Sequence, residues 1–70
     1  MKEYITNSVY TLRTKNGMTQ EELAEKAGIT RQTVISIEKG NYTPSVLLAI
    51  KLALVFEVPV EDVFRISYGK

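Results

Sequence analysis

Four polar side chains in one short run set the chemistry this chain can do. Arg31, Gln32, Thr33 and Ser36 sit together in RQTVIS. A guanidinium carries paired N–H donors that match O6 and N7 of guanine. A carboxamide carries a donor and an acceptor that match N6 and N7 of adenine, and short hydroxyls serve either kind of base edge. The chemistry is therefore hydrogen-bonded recognition of base edges, with no covalent bond made or broken. Ile35, inside the same run, either meets a thymine methyl or is simply exposed. The plain alternative for all four residues is a solvated polar helix face, and it presses hardest on Thr33 and Ser36, because short hydroxyls are common on any exposed helix.

Such side chains work only from a rigid element. Thr30 is an N-cap type. Val34 and Ile37 repeat at i, i+3, and Gly40 is a stop, so a helix is expected over about 30–39. A shorter helix is expected before it. Thr19 and Glu22 have capping-box spacing, in which the hydroxyl accepts from the N–H of Glu22 and the carboxylate from the N–H of Thr19. Glu21 and Glu22 suit the positive end of the helix dipole. Leu23, Ala24 and Ala27 give a narrow apolar stripe, with Ala24 small enough for a close helix crossing. Gly28 can take the left-handed conformation and turn the chain within about three residues. Two helices with a short glycine turn form a known unit, whose second helix can enter the major groove with its first residues at the base edges. Gln20, at the start of the first of these helices, is expected to hydrogen-bond a phosphate with help from the free N–H groups there. Thr30, Lys39, Asn41 and Tyr42 are expected to touch the sugar–phosphate backbone further along. For Tyr42, packing against the motif is an equal alternative.

At this point the chain resembles the phage repressor and Cro class of helix-turn-helix proteins, the XRE family. The resemblance runs through Leu12-Arg13, Gly17, Thr19-Gln20, Leu23-Ala24, Gly28, Arg31-Gln32-Thr33, Ile37-Glu38, Gly40, Tyr42, Pro44-Ser45 and Glu61-Asp62-Val63-Phe64. It spans about residues 7–64, and the combined spacing is specific where any single piece would be weak. It implies an all-α, five-helix repressor-type fold, and a two-stranded ribbon from the chain ends of the kind that the smallest members sometimes carry. In the similar repressors the residue matching Arg13 pairs with a Glu at the end of the recognition helix, here Glu38. The alternative is two independent surface charges.

The rest of the chain is read as support. Asn7 is the expected cap of a first helix running to about Asn16, with Val9 and Leu12 inward and Gly17 closing it. After Thr43, Pro44 suits a helix start, with Ser45 as an alternative cap. The helix expected over about Ser45–Glu57 carries two apolar stripes: Val46, Ala49, Leu52, Ala53 and Phe56, and on roughly the opposite side Leu47, Ile50 and Leu54. A monomer needs only one. The second must be covered by the chain ends or by another subunit, and a homodimer through Leu47, Ile50 and Leu54 is the expectation. Pro59 opens a last short helix, about 60–64, with Glu61 and Asp62 in its first turn. The alternating tail Arg65–Tyr68 suggests a strand that pairs with Tyr4–Thr6.

Composition closes off other function classes. Seventy residues are expected to make one domain, 1–70, with the motif at 19–40 and dimerisation elements at about 45–70, leaving no room for a sensor of small molecules. There is no cysteine and no histidine, which removes disulfides, thiolate metal sites and the commonest general base. No phosphate-binding glycine loop is present. Glu61 and Asp62 are adjacent, so their side chains diverge by about 100° on a helix and are better read as first-turn acids than as a catalytic pair. The expectation is no enzyme, no metal and no cofactor. No apolar run nears the length of roughly 20 residues that crosses a bilayer. The opening MKEYITNS lacks the apolar core of a signal peptide. A cytoplasmic protein without membrane contact is expected. The net charge of +1 is low for a nucleic-acid binder. The acids, however, gather at Glu21, Glu22 and Glu25 and at Glu57, Glu61 and Asp62, away from Arg31 and Lys39. The expected partners are double-stranded DNA with a near-palindromic operator and a second copy of the chain, the function being regulation of transcription, by repression. The competing expectation is an antitoxin-like or adaptor module that binds a protein through the apolar face of the 45–57 helix.

Overall fold

The computed structural model describes residues 2–69, in the order β1 (Lys2–Asn7), α1 (Val9–Lys15), α2 (Gln20–Ala27), α3 (Arg31–Glu38), α4 (Val46–Phe56), α5 (Val60–Val63) and β2 (Phe64–Gly69). The five helices and the antiparallel β1–β2 ribbon are the expected repressor-type architecture. In the ribbon Ile5 lies opposite Ile66, with Lys2–Gly69 and Asn7–Phe64 as the end pairs.

Each helix end has a local cause. Thr19 accepts from the N–H of Glu22 at 3.0 Å, and the Glu22 carboxylate accepts from the N–H of Thr19 at 2.8 Å. Helix α2 therefore begins in a complete capping box. Those bonds hold the Glu22 carboxyl below its ordinary pKa, the backbone bond from Thr19 acting most. Gly28 ends α2 at φ 69°, ψ 35°, a left-handed conformation that strains any residue with a Cβ. Thr30 and Ser45 cap α3 and α4 by accepting from the N–H groups of Thr33 and Leu48. Ser45 is thus the cap, and Pro44 stands outside the helix. Glu57 ends α4 at φ 57°, ψ 45°, the one non-glycine residue at positive φ among those described.

Two expectations shift. The first helix starts at Val9 and stops at Lys15, with Ser8 in the cap position and no cap bond from its side chain. Asn7 sits one residue further out, at the end of β1. There its side-chain Oδ1 still accepts from the N–H of Val9, while its Nδ2 donates to the carbonyl of Ile37 at 2.9 Å. The second shift concerns α4, where helical spacing points Val46 inward. It is 77% exposed, and Leu48 is buried in its place. Nearly every residue of α4 is apolar, so the hydrophobic pattern does not single out a face. Docking on α2 and α5 does so, by selecting Leu48, Leu52, Ala53 and Phe56.

The core joins all five helices: Val9 from α1, Leu23, Ala24 and Ala27 from α2, Val34 and Ile37 from α3, the four α4 residues and Val63 from α5. Burying a Leu- or Val-sized side chain is worth about 1.5–3 kcal/mol, so these contacts set the crossing of α2 and α3. Ala24 is 4% exposed; a longer side chain there would drive the two motif helices apart.

Candidate nucleic-acid interface

The outward turn of α3 carries the side chains singled out from the sequence. Arg31 and Gln32 are exposed, and Thr33, Ile35 and Ser36 are half-buried, while Val34 and Ile37 on the opposite side enter the core. The i, i+3 spacing of the inward pair leaves positions 32, 35 and 36 on the outer arc, with 31 and 33 at its two edges. The hydroxyls of Thr30 and Thr33 lie 2.9 Å apart, and Thr30 also holds the N–H of Thr33. One hydroxyl proton of that pair is therefore engaged within the chain, which narrows what Thr30 and Thr33 can offer a ligand together. Beyond the helix, Lys39, Asn41 and Tyr42 are exposed on the loop. Gly40 and Asn41 close α3 by donating to the carbonyls of Ile37 and Ser36.

What holds α3 at its angle is a charged knot under its C-terminal end. Arg13 is 8% exposed. Its Nε donates to Oε2 of Glu38 at 2.7 Å and its Nη2 to Oε1 at 3.3 Å. That is a fork-to-fork pairing, which fixes orientation as well as distance. The Nη1 of Arg13 donates to the carbonyl of Met18 at 2.9 Å, just before α2. The Tyr10 ring centre lies 5.3 Å from the guanidinium carbon, within cation–π range. The bond to Glu38 raises the pKa of Arg13 further above its ordinary value, against a desolvation that acts the other way. A buried pair of this kind adds little net stability. Breaking it strands a charge, so it fixes geometry by penalising every other arrangement. Arg13 on α1 ties together the start of α2 and the end of α3.

Gln20 joins the same knot. Its Nε2 donates to Oε1 of Glu38 at 3.1 Å. One of its two amide protons is thus committed inside the protein, which leaves the other proton and the carbonyl oxygen for a ligand. Sequence reasoning places Gln20 at a phosphate and misses this bond. Its partner lies eighteen positions away, and no local pattern marks it.

Beside Gln20 runs an open groove of about 590 Å³, lined by Arg13, Gly17, Met18, Thr19, Gln20, Glu21 and Arg31. Thr19 takes the N–H of Glu22 with its side chain and that of Leu23 with its carbonyl. The N–H groups of Gln20 and Glu21 come earlier, before any intrahelical acceptor, so the groove floor is a helix N-terminus that favours an anion. Arg31 adds a positive charge. Glu21 works against both from the rim, beside the Arg31 from which the sequence reading sets it apart.

The chain resembles known proteins along most of its length. The family described as "Helix-turn-helix" matches residues 9–63. A Bacillus subtilis relative, the uncharacterized HTH-type transcriptional regulator YgzD, is 53% identical over 58 residues, which are 83% of this chain and 88% of YgzD. The cryptic phage CTXphi transcriptional repressor RstR of Vibrio cholerae is 30% identical over 57 residues, 81% of this chain and 51% of RstR. Among solved structures, the restriction-modification controller protein C.AhdI of Aeromonas hydrophila superposes with a TM-score of 0.73 at 31% identity, over 77% of this chain and 82% of that one.

Proposed function

The chain belongs to the helix-turn-helix family of transcriptional regulators, and from that premise we propose that it binds a near-palindromic DNA operator as a homodimer and represses transcription there. The observation that carries the proposal is the pairing of an exposed Arg31 and Gln32 with a buried knot that fixes the helix they stand on. Arg31, Gln32, Thr33 and Ser36 meet base edges from the first turns of α3. Gln20, with its remaining amide proton and the N–H groups beside it, takes a phosphate, and Thr30, Lys39, Asn41 and Tyr42 hold the backbone beyond. Preorganisation matters because a helix free to tilt would lose bidentate geometry at both bases. The whole of 1–70 serves as one DNA-binding domain, the motif at 19–40 reading the duplex and elements within 45–70 joining two copies through Leu47, Ile50 and Leu54. A dimer occupying the operator represses by excluding other proteins from it. The phage repressor among the relatives supports that direction of control, and the reading is that of a non-enzymatic protein of the cytoplasm.

Selection of bound duplexes from a random library tests this directly. The expected outcome is a two-fold related site with half-sites about 34–36 Å apart, one helical turn. Arg31→Ala and Gln32→Ala are each expected to weaken specific binding by about 1–3 kcal/mol. With about six phosphate contacts in the dimer, affinity is expected to fall by roughly three decades between about 50 and about 200 mM salt. Affinity that ignores salt would remove groove docking from consideration.

A second reading rests on α4, where Val46, Leu47, Ile50 and Leu54 are 77%, 67%, 48% and 71% exposed. That face suits an antitoxin-like or adaptor protein that captures a different chain. On this reading Leu47→Asp abolishes activity and Arg31→Ala leaves it intact; on the operator reading Arg31→Ala is the damaging change.

A further inference from the structure

The dimer proposed above leaves a second apolar surface without a role. Glu3 lies opposite Tyr68, Ile5 opposite Ile66 and Asn7 opposite Phe64, so these six share one face of the ribbon. At its inner end that face is fastened to the helices, Phe64 against the core and Asn7 to the carbonyl of Ile37. Further out it is bare: Ile5, Ile66 and Tyr68 are 40%, 58% and 59% exposed. The opposite face is more polar and makes more bonds within the chain, although Tyr4 on it is 50% exposed. The Tyr4 ring lies against Gly69, the hydroxyls of Thr6 and Ser67 meet at 3.2 Å, and Arg65 donates to the Ser8 hydroxyl and to the carbonyls of Glu61 and Asp62. The molecule measures 37 Å along its long axis against 23 and 22 Å across, the proportions of a body with an arm.

An isolated two-stranded ribbon is marginal in water, and on this one face it holds three large apolar side chains into solvent. We propose that this face is the second half of the subunit interface, the ribbon of each copy lying across the exposed α4 stripe of the other. The proposal rests on the dimer reading and names what meets α4. Area argues for a second copy as the occupant. Scaled by their exposures, the four α4 side chains offer on the order of 500 Å² and the three ribbon side chains on the order of 300 Å². A standard interface takes about 800 Å² from each partner. Packing α4 on α4 alone falls short of that and leaves both ribbons bare. An isologous contact of ribbon on α4 covers both patches on both copies at once, and it closes.

Sedimentation equilibrium of the full chain, with far-UV circular dichroism of each variant, tests it. Ile66→Glu and Leu54→Glu are both expected to weaken dimerisation by roughly tenfold or more. Tyr4→Thr, on the opposite face of the ribbon, is expected to leave it unchanged. The chain has no cysteine, so a mixture of the single variants Ile66→Cys and Ile50→Cys gives a second measurement that introduces no charge. A mixed disulfide dimer is expected under mild oxidation. Dimers indifferent to Ile66→Glu, or Ile50→Cys chains that cross-link with each other and not with Ile66→Cys chains, overturn the ribbon contact and leave dimerisation standing. A wild-type chain that sediments as a monomer overturns the dimer itself.

Discussion

Two parts of this small protein treat their surfaces in opposite ways. Beneath α3, the buried polar groups of Arg13, Glu38 and Gln20 answer one another, and no buried side-chain nitrogen or oxygen among the described residues lacks a partner. Along α4 and the outer ribbon, large apolar side chains stand in solvent with nothing on them. The first region is complete in a single chain and places polar side chains outward. The second has the composition of an interior and the exposure of a surface. Rigidity under α3 and incompleteness elsewhere are what the proposed reading of paired half-sites requires: a fixed angle within each copy, and a separate surface to set the distance between copies.

The contrast can be tested at its strongest point first. Arg13→Ala is expected to cost about 3–5 kcal/mol of folding stability, because Glu38 is left as an unpaired, nearly buried charge. Replacing both partners with apolar residues of similar volume should cost far less than two single losses. Urea denaturation of the single and double variants measures both. If Arg13→Ala is harmless, the knot is ordinary surface and the contrast disappears. Next come two leucines two positions apart on one helix. Leu52 is fully buried and Leu54 stands in solvent. Leu52→Ala is expected to lose about 2–5 kcal/mol. Leu54→Ala is expected to change the stability of the monomer by no more than about 0.5 kcal/mol. Denaturation at chain concentrations low enough to dissociate the proposed dimer separates folding from association.

A smaller effect, and of opposite sign, is expected at the end of α4. Glu57 is held at φ 57°, and in that region a residue with a Cβ is strained by about 1–2 kcal/mol. Glu57→Gly relieves part of that and should raise stability by about 0.5–1 kcal/mol after the entropic cost of glycine. The melting temperature reads it. The smallest effect is a pH dependence in the capping box. Glu22 titrates below its ordinary value in the folded chain because it accepts from Thr19. Its contribution is complete above the usual glutamate range and fades as the pH falls through its lowered value. The gap in melting temperature between wild type and Glu22→Gln should therefore close on acidification.

Legibility from sequence follows distance along the chain. The caps at Thr19, Thr30 and Ser45 and the left-handed turn at Gly28 are readable because each rests on atoms three or four residues apart. The ribbon is readable from alternation together with resemblance. The pairing of Arg13 with Glu38 is available only through resemblance. The bonds from Gln20 to Glu38 and from Asn7 to Ile37 carry no signal in the sequence, and helical spacing puts Val46 on the wrong side of its helix.

The order of residues by itself determined where α2, α3 and α4 start and where α2 stops, since a cap or a glycine turn is decided by side chains within reach of their own backbone. It also determined which polar side chains share the outer arc of α3. Only the tertiary structure decided which side of an almost uniformly apolar α4 faces inward, and that the Gln20 amide is half engaged by Glu38. Those outcomes depend on which surfaces meet when helices pack, and burial responds to area and fit rather than to spacing along the chain.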